Sequence, residues 1–169
     1  MIKTQEFCGI IAETYATVRN VYGRLGREPR MPGPEGEVDF AAGRHRRYVF
    51  ADAVAWRFAR NLSSHSLDWD TAASIVSREH IADNILTRAS IGKGEFFAVW
   101  PCKKDGKIQW AAWQGLPGEI AEMIQHDSRD CEINSVLMVS CDKVMNEATE
   151  LAFAAGYAVI DGDLVPLKD

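Results

Sequence analysis

Between Gly43 and Tyr48 the chain reads Gly-Arg-His-Arg-Arg-Tyr, the densest cluster of positive charge in the sequence. An Arg guanidinium is a planar, permanently charged fork that matches phosphate oxygens and guanine edges. The chemistry offered by Arg44, His45, Arg46 and Arg47 is therefore recognition of a polyanion. The bias extends beyond the cluster: residues 19 to 60 carry nine Arg and no Lys against five acidic residues. Arg19 and Arg24 belong to this basic segment. A solvated charged face is the competing reading of such a run. The two ends of the chain differ, since residues 1 to 90 hold 12 basic against 11 acidic residues and residues 91 to 169 hold 7 against 13. The acidic second part is a poor place for a phosphate backbone.

These residues need elements to hold them. Phe7, Ile10, Ile11, Val18, Val21 and Leu25 recur at helical spacings and predict one helix over residues 4 to 25, capped by Thr4 and stopped by Gly23 and Gly26. Pro29, Pro32, Gly33, Pro34 and Gly36 mark a loop. Val38 and Phe40 then pair with Tyr48 and Phe50 in a short hairpin around Gly43. Phe50, Val54, Phe58 and Leu62 follow at intervals of four and predict an amphipathic helix with Asp52 near its start and Arg57 and Arg60 extending the basic surface. Ser63 to Ser66 break it, and Asp68 and Asp70 open another through Trp69, Ala72, Ala73, Ile75 and Val76. Residues 78 to 90 form a connecting helix, ended by Gly92-Lys93-Gly94.

Beyond that point the pattern changes. Phe96 to Trp100 and Ile108 to Trp113 flank Asp105-Gly106, a strong hairpin signal. A helix begins at Pro117, a buried strand covers Ile133 to Val139, and Asp142 caps a helix stopped by Gly156. Tyr157 to Ile160 and Leu164 to Leu167 form a terminal hairpin around Asp161-Gly162-Asp163. The expected architecture is α+β: a mostly helical domain over residues 1–90 with a β-hairpin wing, then a small α+β domain over 91–169 for dimerisation, sensing or interaction.

The register of Arg46, Arg47, Tyr48, Asp52, Trp56, Ala59 and Leu62 resembles the wing and following helix of MerR-type winged-helix transcription regulators. Ser66-Leu67-Asp68-Trp69 resembles the turn that opens that family's next helix, and Thr17-Val18-Arg19 resembles the Thr-Leu-Arg of its recognition helix. The resemblance implies double-stranded DNA as partner, a homodimer, and Arg46, Arg47 and Tyr48 beside the DNA backbone, where they position the protein without reading sequence. Two departures stand beside it. The family separates its first two helices by a Gly-containing turn, and Ala12 to Thr17 reads as too short for one. The loop from Arg19 to the wing is also longer.

Other chemistry is not indicated. Cys102, His126, Cys131 and Cys141 lack zinc-ligand spacings, so no metal is expected. Gly92-Lys93-Gly94 lacks the rest of a phosphate loop, and no nucleophile elbow or other catalytic signature appears. No cofactor and no enzymatic activity are expected. Phe96, Phe97, Trp100, Trp110 and Trp113 are read as core and edge positions of a hairpin in preference to a ligand pocket. The first residues lack the apolar core of a signal peptide, and no apolar run approaches the roughly 20 residues a membrane helix needs. A cytoplasmic, reducing setting without membrane contact is the expectation. The alternative reading is a protein-interaction module, such as an antitoxin, inhibitor or phage accessory protein, that docks a protein partner on the winged helix.

Overall fold

The computed structural model describes residues 2–24, 47–65, 67–78 and 93–167. The expected hairpin strand at Val38 and Phe40 and the wing tip at Arg44 to Arg46 lie outside them, as does the connecting helix expected over 78–90 from residue 79 on. The fold is α+β.

A two-residue strand β1 (Ile2–Lys3) leads into α1 (Thr4–Ile11), and α2 (Tyr15–Arg24) follows. The single helix expected over residues 4 to 25 is thus two helices. Ala12 takes left-handed backbone (φ 55), its N–H bonds to the Gly9 carbonyl at 3.2 Å, and Glu13 N–H bonds to Cys8 O at 3.0 Å. Those bonds satisfy the last carbonyls of α1. Thr14 then caps α2: its Oγ1 accepts from Thr17 N–H at 3.1 Å. Three residues suffice for the turn because both caps are made inside it.

β2 (Arg47–Tyr48) pairs antiparallel with β1, Tyr48 opposite Ile2. Phe50 is not a strand residue but the first residue of α3 (Phe50–Ser64), where Asp52 accepts from Val49 N–H at 2.8 Å. Phe50, Val54, Phe58 and Leu62 are all fully buried, as their spacing predicts. α4 (Trp69–Arg78) starts at Asp68, whose carboxylate accepts from the Thr71 hydroxyl at 2.6 Å and the Thr71 N–H at 2.9 Å. These bonds hold the Asp68 carboxyl below its ordinary value, the hydroxyl bond contributing most.

The second part is built on a sheet of order β4-β3-β5, from β3 (Phe96–Lys104), β4 (Lys107–Gly115) and β5 (Leu137–Ser140). Asp105 (φ 52) and Gly106 (φ 74) both lie in the left-handed region, the two-residue turn that matches strand twist. β5 is shorter than expected: Ile133 packs on the core, but strand pairing begins only at Leu137. α5 (Pro117–Asp127) covers one sheet face, meeting Ala98 and Trp100 through Ile120. α6 (Cys141–Ala154) is capped by Ser140, whose Oγ accepts from Lys143 N–H at 3.3 Å, while Asp142 sits inside the first turn. The terminal hairpin β6 (Tyr157–Ile160) and β7 (Asp163–Pro166) closes the described chain.

The two parts share a core. One buried cluster runs from Phe7, Ile10 and Phe58 to Phe97, Val144 and Ala148. Phe58 meets Phe97 edge to face at 5.8 Å, and Arg57 bonds Glu147 at 2.6 Å. The expected division at residues 90 and 91 therefore does not separate two cores. No helix among the described residues is long and apolar enough to cross a membrane.

Candidate nucleic-acid interface

The packing of α2 decides which of its residues face outward. Val18 is buried, whereas Thr14 just before α2 and Tyr15, Ala16, Arg19 and Asn20 on it are all exposed. Tyr15 is 58% exposed, a large aromatic surface open beside this helix. Thr17 and Asn20 line a groove of about 320 Å³ whose other walls are Glu13, Trp56 and Arg60, and Trp69 and Asp70 at the start of α4. Arg60 reaches Glu13 at 3.5 Å with its own side chain 56% exposed. The Trp56 and Trp69 rings stand 5.0 Å apart, and the Trp69 indole N–H is buried without an acceptor among the described protein atoms. Thr17 and Asn20 of α2, Arg60 of α3 and the start of α4 thus border one concave surface, in which Glu13 and Asp70 set two carboxylates beside one guanidinium.

The residues singled out by sequence distribute unevenly over this surface. Arg19 is exposed on the outward face of α2, and Arg24 is that helix's last residue. Arg44, His45 and Arg46 lie outside the described residues. Arg47 is in β2, opposite Lys3. Tyr48 is corrected by the structure. It is 1% exposed, its ring stacked on Phe7 at 4.0 Å and 5° between planes, so it has no surface to offer a phosphate. The cause is the β1–β2 pairing, which turns Tyr48 toward α1 and makes it a core residue. Arg57 also leaves the basic surface: its guanidinium is half-buried against Glu147, which lies 90 positions away in sequence.

Sequence reasoning missed a second feature. Cys102 and Cys131 form a disulfide between β3 and the segment after α5, with Cα atoms 5.4 Å apart. Their separation of 29 residues carries no recognisable spacing. The bond sits beside the Trp100 indole, which donates to Asp127 at 3.1 Å, and the bridge Lys103–Glu132. Cys8 and Cys141 are buried thiols, and burial raises both, Cys141 to about 12. Among the described residues no group of three or more His, Cys, Asp or Glu is placed to hold a metal ion.

No protein-family model matches this chain, and no curated protein matches it.

Proposed function

We propose that this protein is a DNA-binding transcription regulator of MerR-like type, without catalytic activity, in which α2 enters the major groove of a duplex and the basic segment after Gly43 contacts the backbone. The observation that supports it best is the outward face of α2. A helix offered from a three-residue turn, buried through Val18 and presenting Tyr15, Arg19 and Asn20, has the side-chain types that read base edges and phosphates. Arg44, His45, Arg46 and Arg47 supply backbone contacts in this reading, and Arg24 extends them from the end of α2. Tyr48 has a structural role instead. A homodimer belongs to the proposal, because one small module covers too little duplex for useful specificity. A cytoplasmic setting is also part of the proposal, and the Cys102–Cys131 disulfide is the observation that weighs against it, since such bonds persist in oxidising compartments.

The second reading, a protein-interaction module, draws support from the exposed apolar side chains of the second part, Phe153 and Ile160 among them.

Duplex binding by fluorescence anisotropy over a salt series tests the first reading. Affinity should fall steeply with salt, and Arg19→Ala should weaken binding and flatten the slope by about one unit. Arg46→Ala/Arg47→Ala should do the same by about two. Arg57→Ala should leave the slope unchanged, since that side chain is committed to Glu147. Salt-independent binding, or wild-type behaviour of both the Arg19 and the Arg46/Arg47 variants, would sink it.

A further inference from the structure

We infer that the Cys102–Cys131 bond is a redox-operated clasp: a dithiol opens it, and opening it frees residues 128–136 from β3 while the rest of the chain stays folded. Cys102 stands near the turn end of β3, opposite Gln109 of β4. Cys131 lies on the segment that leaves α5 and returns to the sheet as β5. The bond therefore closes a ring that contains β4 and α5.

Little else holds that segment. No side chain from 128 to 136 is buried; Cys131, Ile133 and Val136 are half-buried and the others are exposed. Ile133 and Val136 rest on the small cluster of Ala98, Trp100 and Ile120. The hydrogen bonds of the segment to β3 are Lys103 N–H to Glu132 O at 3.2 Å and Glu132 N–H to Lys103 O at 3.3 Å, at the long end of the usual range. A stretch with few buried apolar contacts and solvent-exposed hydrogen bonds opens at a low free energy. The covalent bond thus stands in for packing, and breaking it changes local order. The fold does not hang on it. Neither cysteine belongs to a buried cluster, and α5 keeps its own anchors, Ile120 in the small cluster and Asp127 on the Trp100 indole at 3.1 Å.

The bond is also within reach of solvent. Both cysteines line an open cleft of about 230 Å³, together with residues 109–111 of β4 and the carboxylates of Asp127 and Asp130. A water molecule takes about 30 Å³, so the cleft admits the side chain of an attacking thiolate. One thiolate of a dithiol attacks a cysteine sulfur, a mixed disulfide forms, and the other cysteine leaves as a thiolate that takes a proton from water. The reductant's second thiol gives up its proton and displaces the remaining cysteine. Two electrons have then passed to the protein, and the dithiol has become a disulfide. Cys8 and Cys141 are buried elsewhere, so the freed pair meets no competing thiol and closes on itself when an oxidised disulfide is supplied. Disulfides of cytosolic proteins are mostly transient or redox-sensing, and a clasp of this kind reconciles the bond with the cytoplasmic setting proposed above. The inference does not depend on the DNA-binding reading.

Amide hydrogen exchange read by mass spectrometry tests the clasp, on the full chain treated with oxidised glutathione and then with dithiothreitol, with alkylation reporting the state of each cysteine. The pair should form in oxidised glutathione and be reduced by dithiothreitol in native buffer. Reduction should speed exchange of the Lys103, Cys131 and Glu132 amides at least tenfold. The amides of Phe97, Val99 and α3 should keep their oxidised rates, and the circular dichroism spectrum should be unchanged. Reoxidation should restore the protection. Cys102→Ser/Cys131→Ser should exchange at the fast rate under either reagent. A pair that does not form, a bond that dithiothreitol leaves closed, loss of the spectrum on reduction, or equal exchange at residues 128–132 in both states would each overturn the inference.

Discussion

The helical first part and the sheet-based second part share one core but finish their surfaces differently. Around α1 to α4 the large apolar side chains are almost all inside, and α2 turns a polar, arginine-bearing face outward. Among the described residues Tyr15 is the one exposed large hydrophobic in this part, whereas the second part leaves Ile108, Trp113, Met138, Phe153 and Ile160 among others in contact with water. Formal charge divides the same way, the arginine-rich segment on one side and the acidic excess on the other. A surface meant for a polyanion benefits from charge and loses from exposed apolar area, and a surface meant for protein does the opposite. The contrast agrees with the proposal of DNA for the first part, and it leaves the second part as the better surface for a protein partner.

Breaking the shared core is the most drastic way to challenge this comparison. Phe58 is fully buried and meets Phe97 across the boundary between the parts. Phe58→Ala should cost about 3–5 kcal/mol and shift one cooperative denaturant transition, seen alike by circular dichroism and tryptophan fluorescence. Two separate transitions would show that the parts are independent bodies. A smaller effect sharpens the account of the first part. Ala12 is exposed and left-handed at the end of α1, a conformation that costs a Cβ-bearing residue about 1–2 kcal/mol. Ala12→Gly should therefore stabilise the protein by about 0.5–1 kcal/mol, after the greater freedom of Gly in the unfolded chain is subtracted. Destabilisation in the same denaturant assay would contradict the turn geometry.

Much of the fold was legible because local patterns dominate it. The four-residue spacing of Phe50, Val54, Phe58 and Leu62 specifies α3, and Asp-Gly at 105–106 and 161–162 specifies two hairpins. What escaped depends on partners distant in sequence or on unusual local choices. The α1–α2 break was hidden because Ala12, not Gly, takes the left-handed position, so the apolar periodicity runs on through the turn. Tyr48 looked like a surface residue because β1 is two residues long and shows no period, yet that strand turns the ring onto Phe7. Arg57 reads as part of a basic surface by local pattern alone, and its partner Glu147 lies too far along the chain for that pattern to show. Of the candidate interface, Arg19 and the Thr17-Val18-Arg19 motif were readable. The groove formed with Arg60 and Trp69 was not, since it exists only once α2, α3 and α4 meet.

The division of labour between the two parts is most directly tested by amide hydrogen exchange on the full chain with and without a saturating bound duplex. Exchange should slow in α2, over Tyr15–Arg24, and around the start of α4, while β6 and β7 keep their free rates. Slowing confined to the second part, with α2 unchanged, would contradict the account.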